Sequence, residues 1–256
     1  MLKNYIDFIT ERSHEQDIEK PLKSFAVKKE LNPLIWETDD KIKPIIREKL
    51  LGIAEDFYKT FELGIEYTDI ILTGSNCNFT WSEYSDIDLH ILLDFSKVNS
   101  DVTLVQNYLL SVTREFNTIH DIKILDYDVE LYMQDINAEH DSTGIYSLLN
   151  DKWILKPHPK NVKIDDVLIK IKAESIMDTV DDIEADINTL DYAEFRERIK
   201  DIWDKIKKGR QAGLRAEGEY SVENLVFKLL RRNGYIDKIF DLKNKAYDKH
   251  YSLKKD

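Results

Sequence analysis

The sequence predicts an α/β (α+β) fold in which helices flank a mixed sheet, followed by a C-terminal helical bundle. Apolar segments with strand spacing and with helix spacing alternate as far as the proline pair Pro157 and Pro159, whereas only helical spacing follows. Two of the strands also enclose a short polar segment rich in turn residues. We therefore predict a helical N-terminal arm over residues 1–40, a mixed-sheet domain over residues 41–158 and a helical domain over residues 159–256.

The elements of the predicted sheet domain follow from apolar spacing and from turn residues. Pro44 suits the first turn of a helix, and Gly64 ends that helix. Ser142 is expected to cap a short helical turn. The predicted helices cover residues 43–62 and 101–117, and the predicted strands cover residues 66–73, 89–93 and 152–155, with a strand-rich segment over residues 120–134 that turns near Asp126.

The helical domain is predicted from helix caps and apolar stripes. Asp191 with Glu194 three residues later resembles a capping box, and Ser221 suits an N-cap. Gly213 and Gly218 predict a loop. The predicted helices cover residues 165–188 and 191–208, then a helix from Ser221 that ends at Gly234, and a last helix to about residue 247.

Asp86 and Asp88 open the second strand of the predicted sheet. Side chains alternate along a strand, so the two carboxylates share one face and lie about 6 to 7 Å apart. Such a pair is repulsive unless a cation lies between the two groups. Hard divalent ions, Mg²⁺ above all, prefer these oxygen ligands and complete their coordination with substrate phosphates. The pair therefore predicts a magnesium site for a phosphorylated substrate.

Gly74 and Ser75 end the strand that precedes this pair. Gly74 lets the backbone approach a ligand closely and can adopt positive φ. The Ser75 hydroxyl suits a phosphate, or the cap of a helix that starts here, and the N-terminus of such a helix favours phosphate. Asn76 either hydrogen-bonds the phosphate in a similar way or simply favours the turn. A phosphate-binding turn followed by an Asp-x-Asp strand is typical of nucleotidyl transfer.

The residues Gly74-Ser75, ten intervening residues and Asp86-Ile87-Asp88 resemble the signature of the DNA polymerase β-like nucleotidyltransferase superfamily. The wider run is similar to nucleotidyltransferases encoded by tailed bacteriophages. The resemblance implies a polymerase β-like catalytic domain with two Mg²⁺ or Mn²⁺ ions, held by Asp86, Asp88 and a third acid on a later strand. It implies transfer of a nucleoside monophosphate from a nucleoside triphosphate to an acceptor hydroxyl, with Gly74, Ser75 and Asn76 at the nucleotide.

The third acid is either Asp128 or Glu130, which share one face of a predicted strand. Glu130 lies between Val129 and Leu131, and an acid inside an apolar strand needs a reason. Asp128 lies nearer the predicted turn, where Asp is ordinary. We therefore predict Glu130 as the third metal ligand and catalytic residue, although the superfamily more often has Asp at this point.

Residues beside the signature allow both structural and functional roles. His90 continues the face of the two acids, where it either orders a carboxylate or packs beneath the site. Trp81 and Tyr84 either stack on a base or pack in the core. Nothing pairs Cys77 with a base, so a packing role is favoured.

The helical domain carries a basic segment within an acidic chain. From Arg196 to Arg232 there are eleven Lys and Arg against six Asp and Glu, in a chain with a net charge of −12. Several basic residues of this segment could bind the triphosphate or a polyanionic acceptor, and we select Lys208 and Arg210 from the set Lys205, Lys208, Arg210, Arg215, Arg231 and Arg232. The alternative is a solvated helix face that the acids of the preceding helix partly neutralise.

Composition limits the class of protein. The acidic net charge argues against a protein that coats nucleic acid by bulk electrostatics. No apolar run approaches the length of a membrane span, and the first residues lack the apolar region of a signal peptide. A single cysteine excludes an internal disulfide and fits a reducing compartment. We therefore expect a cytoplasmic protein, in the host cytoplasm if a phage encodes it, without a membrane partner.

The acceptor stays open at this point. An RNA 3′ end, a second nucleotide, a small-molecule hydroxyl and a protein side chain all suit the superfamily chemistry. The acidic surface disfavours long nonspecific RNA contacts, so we rank an RNA end or a nucleotide first. Two other classes are a catalytically inactive fold that binds nucleotide or a partner protein, and a metal-dependent phosphoesterase that uses the same acids.

Overall fold

The computed structural model describes residues 18–37, 41–140, 142–159 and 161–253. Their contacts divide the chain into two compact units. The sheet unit runs from Val27 to Asn161, and the helical unit combines the described residues before it with those from Val162 onwards. This division follows residue 161, whereas the sequence predicts it after residue 158.

The described part of the predicted N-terminal arm is divided between the two units. Ile18 is buried in the core of the helical unit. Ile35 and Trp36 are buried in the core of the sheet unit. Each segment joins the core that removes its apolar side chains from water, and so these residues are parts of two domains instead of one separate arm. Residues 1–17 and 38–40 lie outside the described residues.

The sheet unit is α+β. Its helices are α2 (Pro44–Lys59), α3 (Phe95–Val98) and α4 (Val102–Ile119), and its strands are β1 (Asp69–Thr73), β2 (Ile87–Leu93), β3 (Lys123–Ile124), β4 (Tyr127–Asp135), β5 (Ile145–Ser147) and β6 (Lys152–Leu155). The sheet has six strands in the order β3-β4-β2-β1-β5-β6. β2 is antiparallel to β1 and parallel to β4, and the other neighbours are antiparallel.

The centre of the sheet explains how polar side chains come to stand on an otherwise apolar strand. All five residues of β1 are buried, and its three central residues, Ile70 to Leu72, are apolar, with Asp69 and Thr73 at the two ends. Along β2, Ile87, Leu89 and Ile91 are fully buried. Asp88 and His90 alternate with them and remain partly exposed on the other face. One face of β2 is therefore buried in the core, and the other face carries partly exposed polar side chains.

The structure confirms most of the predicted elements in this unit. Pro44 begins α2, and the Asp101 carboxylate caps α4 by accepting a hydrogen bond of 3.0 Å from the Leu104 amide. β6 has the predicted bounds. The turn expected near Asp126 joins β3 to β4, with Leu125 at a φ of 57°.

The helical turn predicted at Ser142 is wrong, because the residues after it form strand β5 instead. Tyr146 in this strand is fully buried, so tertiary packing decides the conformation. Gly144 precedes the strand, and a Cβ atom at this position would lie 1.9 Å from the carbonyl oxygen of Cys77. The close backbone approach therefore requires glycine.

The helical unit contains only helices and turns among its described residues. Residues 18–23 form α1. The other helices are α5 (Asp166–Ala185), α6 (Tyr192–Glu217), α7 (Val222–Arg232) and α8 (Tyr235–Tyr251). Asp191 and Ser221 cap α6 and α7 as predicted, by accepting hydrogen bonds from the amides of Glu194 and Asn224. Among the described residues, no helix has the length and apolar character that crossing a membrane requires.

The loop predicted around Gly213 is wrong, because α6 continues through this residue to Glu217. A Cβ atom at Gly213 would lie 2.6 Å from Ser221 Oγ and 3.1 Å from Glu223 Cβ. Gly213 therefore allows the start of α7 to pack closely against α6. The helix ends only at Gly218, which has a φ of 77°.

Candidate functional site

The ends of three neighbouring strands form the candidate site. Thr73 at the end of β1 is the register partner of Asp88 on β2, and Asp88 is the register partner of Glu130 on β4. Neighbouring strands lie about 4.8 Å apart, so Asp88 and Glu130 stand side by side on two parallel strands. The fold thus brings together two acids that are separated by forty-one residues in the sequence.

Gly74 and Asp88 are in direct contact at the centre of this site. Gly74 has a φ of 76°, and a Cβ atom there would lie only 1.7 Å from Asp88 Oδ2. Glycine is required for two reasons, since it tolerates the positive φ and leaves space for the carboxylate. The glycine predicted to approach a phosphate therefore also holds a catalytic candidate in position.

Glu130 is held by Tyr132, a residue that the sequence analysis did not select. The Tyr132 hydroxyl donates a hydrogen bond to Glu130 Oε2. Burial raises the pKa of Tyr132, and the hydrogen bond with Glu130 and the negative charges of Glu130, Asp88 and Asp86 raise it further. The negative charges of all three acids therefore act on the Tyr132 hydroxyl group. The signal in the sequence was an acid and a tyrosine two residues apart on one strand face.

The geometry distinguishes the two candidates for the third acid. Asp128 is exposed, and its carboxylate accepts a hydrogen bond of 2.6 Å from Lys123 Nζ on the hairpin partner. Glu130 is partly buried and faces Asp88 across the strand pair. Glu130 is therefore the acid placed beside the predicted pair.

Asn76 does not have the nucleotide-facing position that the sequence predicted. Its side chain is fully buried, and it donates a hydrogen bond of 2.9 Å to the carbonyl oxygen of Asp86. Its amide oxygen accepts from Asn32, and its backbone carbonyl accepts from Trp36 Nε1 at 2.7 Å. Asn76 therefore positions the residue before β2 and is closed to a ligand in this conformation.

Ser75 begins a single turn of 3-10 helix, Ser75–Cys77, in place of the α-helix that the sequence allowed. The Ser75 hydroxyl donates a hydrogen bond of 2.7 Å to Ser85 Oγ, which in turn accepts one of 2.9 Å from the Ser82 amide. These bonds fix both ends of the polar segment between β1 and β2. Cys77 is buried and donates to the Leu72 carbonyl at 3.2 Å, so it has the predicted packing role.

Trp81, a stacking candidate in this segment, has protein partners. Its indole nitrogen donates a hydrogen bond of 2.9 Å to the carbonyl oxygen of Glu30. The Lys28 ammonium lies 5.3 Å from the centre of its ring. These contacts attach the segment to the residues that precede α2.

His90 supports Tyr132 instead of binding a carboxylate. Its Nδ1 lies 2.7 Å from Gln134 Oε1, an acceptor, and its Nε2 lies 3.3 Å from Thr73 Oγ1. Its ring centre lies 4.7 Å from that of Tyr132. Burial lowers the pKa of His90 to about 4, so the imidazole is neutral at physiological pH.

The predicted basic residues lie in the helical unit, on α6. Lys208 is exposed, whereas Arg210 is held by a hydrogen bond of 3.1 Å to Asn224 Oδ1 and lies 4.0 Å from the centre of the Phe227 ring. Sequence reasoning missed Lys228 on α7. Burial lowers the pKa of Lys228 to about 8; the negative charge of Glu219 opposes this shift, and the charges of Arg232, Arg231 and Arg210 add to it. A partly buried cation among arginines is typical of an anion site.

The carboxylates have the hard oxygen atoms that Mg²⁺ prefers, but they are not arranged around a common point. Within the described residues, no group of three or more His, Cys, Asp or Glu side chains is close enough together to hold a metal ion. Asp88 and Glu130 are neighbours through their strand register. β2 begins at Ile87, so Asp86 precedes the strand that it was predicted to open, although its charge acts on Tyr132 together with those of Asp88 and Glu130. Comparisons with protein-family models, with curated proteins and with solved structures find no match to this chain.

Proposed function

We propose that this chain is a metal-dependent nucleotidyltransferase with a polymerase β-like catalytic domain. It would move a nucleoside monophosphate from a nucleoside triphosphate to an acceptor hydroxyl, on an RNA end or a nucleotide, and release pyrophosphate. The observation that carries the proposal is the Gly74–Asp88 contact, because it joins the phosphate-turn glycine to an acid that is register-paired with Glu130. A purely structural strand end has no need of this combination of groups.

The proposed reaction is an in-line displacement at the α-phosphorus. The acceptor oxygen forms a bond to this phosphorus while the bond to the bridging oxygen of the β-phosphate breaks, and its electron pair leaves with pyrophosphate. Mg²⁺ or Mn²⁺ ions, when bound, would neutralise the phosphate oxygens and lower the pKa of the acceptor hydroxyl. Asp86, Asp88 and Glu130 are the residues that would hold them.

Glu130 would accept the proton of the acceptor hydroxyl. Tyr132 donates its hydrogen bond to Oε2 of this carboxylate, which leaves Oε1 as the proton-accepting oxygen. Because the pKa of Tyr132 is raised, the phenol stays protonated and continues to donate at the pH of the reaction. Tyr132 is thus a positioning residue that fixes the orientation of the base.

Within the sheet unit, phosphate recognition would fall to the turn after β1. Gly74 and Ser75 would hold the departing phosphates, with the Ser75 hydroxyl exchanging its hydrogen bond to Ser85 for one to a phosphate oxygen. Within the helical unit, Lys228 and Arg210 are separately proposed to bind the phosphates of a polyanionic acceptor, since the hydrogen bond to Asn224 already orients the Arg210 guanidinium. Lys208 is exposed, so solvent ions screen its charge and it is the weaker candidate for binding phosphate.

A second candidate function is nucleotide binding without turnover. It is favoured by one observation, that the three acids do not surround a common point in the described part of the chain. Catalysis would require Glu130 and Asp86 to turn towards Asp88 when an ion binds. A binding module requires no such movement.

Transfer of label from each of four α-labelled ribonucleoside triphosphates tests the proposal. The reactions contain Mg²⁺ or Mn²⁺ and offer RNA, a small-molecule extract or the protein itself as acceptor. Label should move to one acceptor class and pyrophosphate should be released. The double variant Asp86→Ala/Asp88→Ala should lose this activity, whereas Asp56→Asn, a change at an exposed acid of α2, should retain it.

The products distinguish the alternatives. Release of labelled nucleotide without labelled acceptor would identify a phosphoesterase. Binding of nucleotide with no product in any reaction would favour the binding module. Transfer to the protein or to a small molecule would keep the chemistry and change the acceptor.

A further inference from the structure

A cavity of about 250 Å³ opens within the helical unit, between the first turns of α6 and the last turns of α8. Lys243, Tyr247 and Tyr251 line it from α8, where a spacing of four residues places them on one helix face. Tyr192 and Arg196 line it from α6 with the same spacing. Each of the two helices therefore contributes tyrosine and one cationic residue to the lining of the same cavity.

The aromatic end of the cavity offers exposed ring faces. Tyr192 is stacked on His250 with ring centres 4.1 Å apart and an angle of 9° between the planes. Tyr251 meets both Tyr192 and Tyr247, with ring centres 6.0 Å and 4.6 Å away. Tyr247 and Tyr251 nevertheless remain 55% and 63% exposed. Large rings that are ordered by one another and still open to solvent suit a planar aromatic ligand.

The polar end of the cavity carries charge without compensation. Arg196 and Lys243 make no hydrogen bond and no ion pair with any residue in the described part of the chain. Asn244 also lines the cavity, and its amide has no hydrogen-bond partner among the described residues either. Two cations match the charge of a phosphate monoester, which is close to −2 at neutral pH, about as in a phosphorylated side chain. An amide can both donate to and accept from the edge of a heterocycle.

We infer that this cavity binds a nucleoside monophosphate, with the base on the tyrosines and the phosphate on Arg196 and Lys243. The volume is slightly below the range of about 300 to 1,000 Å³ that is usual for small-molecule sites, which suits one base and one phosphate better than a longer ligand. The inference does not depend on the proposed activity, because every residue that carries it lies in the helical unit and none belongs to the candidate active site.

Calorimetric titration of the full chain with the four nucleoside monophosphates, in the presence of a chelator, tests this inference. We expect saturable binding at one site, weaker binding of the nucleoside without phosphate, and weaker binding of inorganic phosphate alone. Arg196→Ala and Lys243→Ala should each weaken binding about tenfold, as loss of a charge-assisted hydrogen bond does. Tyr247→Ala should weaken it at least fivefold, about the loss of one stacked base.

Matched controls separate this site from other effects. Lys245→Ala removes an exposed cation of α8 that does not line the cavity, and Tyr108→Ala removes a tyrosine of similar exposure from α4. Both should leave binding within twofold of the original chain. Absence of saturable binding to the folded protein, or equal losses in Lys243→Ala and Lys245→Ala, would overturn the inference.

Discussion

The carboxylate of Asp88 occupies the space in which a side chain at position 74 would begin, since a Cβ atom on Gly74 would lie 1.7 Å from Asp88 Oδ2. Asp88 is also the register partner of Thr73, the residue before this glycine, and of Glu130 on the next strand. The turn, the acid and the neighbouring acid therefore form one geometric unit. A change in any of them should affect the position of the others.

Replacement of Gly74 by Ala should destabilise the fold more than an ordinary change of glycine. Alanine at positive φ costs about 1 kcal/mol, and displacement of the Asp88 carboxylate should add about 2 kcal/mol. Gly64→Ala is the control, because Gly64 has a φ of 70° and no atom within 4 Å of the added Cβ. Urea unfolding measures both variants. Equal losses of unfolding free energy would contradict a contact between position 74 and Asp88.

Glu130→Gln should reduce nucleotidyl transfer at least 100-fold, because the amide cannot take the acceptor proton and binds a divalent ion weakly. Asp128→Asn should stay within about threefold, since Asp128 is an exposed partner of Lys123. Rates of label transfer under identical conditions compare the two. A larger loss in Asp128→Asn would exchange the roles of the two acids.

His90 should make the protein less stable in acid. Its folded pKa of about 4 lies below the usual value of 6.5, so the unfolded chain binds more protons between these values. Stability should therefore fall as the pH decreases from about 6.5 to 4, by at most about 3 kcal/mol from this residue. His90→Gln should show a smaller fall, whereas His158→Gln, at an exposed position, should behave like the original chain. Urea unfolding at several pH values makes the comparison.

Lys228 should be a principal anion ligand of the helical unit. Lys228→Met should weaken the binding of inorganic tripolyphosphate at least tenfold, whereas Lys207→Met, at an exposed position of α6, should change it less than twofold. Calorimetry gives both affinities. Equal affinities in the two variants would remove Lys228 from the proposed phosphate site.

Lys228 also gives a stability test, with the same sign as that of His90 but in an alkaline pH range. Its folded pKa of about 8 lies below the ordinary value of 10.5, so stability should rise as the pH increases between these values. Lys228→Met should remove that rise and should be more stable than the original chain at neutral pH. Unfolding curves at pH values on both sides of the window make this measurement.

Gly213→Ala should destabilise the helical unit by about 1 to 3 kcal/mol, because the added methyl group would overlap Ser221 at the start of α7. Gly52→Ala is the control within a helix, since nothing lies within 4 Å of its added Cβ. That change should stabilise α2 by about 0.5 to 1 kcal/mol. Thermal or urea unfolding should give shifts of opposite sign, and two stabilising shifts would contradict close packing at Gly213.

Local signals predicted what depends on neighbours in the sequence. Asp191 and Ser221 cap helices as expected because a cap needs only its own side chain and an amide three residues later. The helical turn predicted at Ser142 does not form, because the burial of Tyr146 in strand β5 outweighs the local preference for a turn. The loop prediction at Gly213 failed for a related reason. A glycine that ends a helix and a glycine that allows another helix to pack closely look the same in the sequence.

The sequence by itself determined the alternation of strands and helices, the polar face of β2 and the presence of acids and a glycine turn, because side-chain spacing encodes each of these locally. Only the tertiary structure decided that Glu130 and not Asp128 faces Asp88, since this depends on the register of two parallel strands far apart in the chain. It also decided that Asn76 is buried, that Tyr132 holds Glu130, and that Lys228 lies among arginines. Pairing, burial and the fields of distant charges arise from the packed arrangement of the chain, and a periodic pattern carries no record of them.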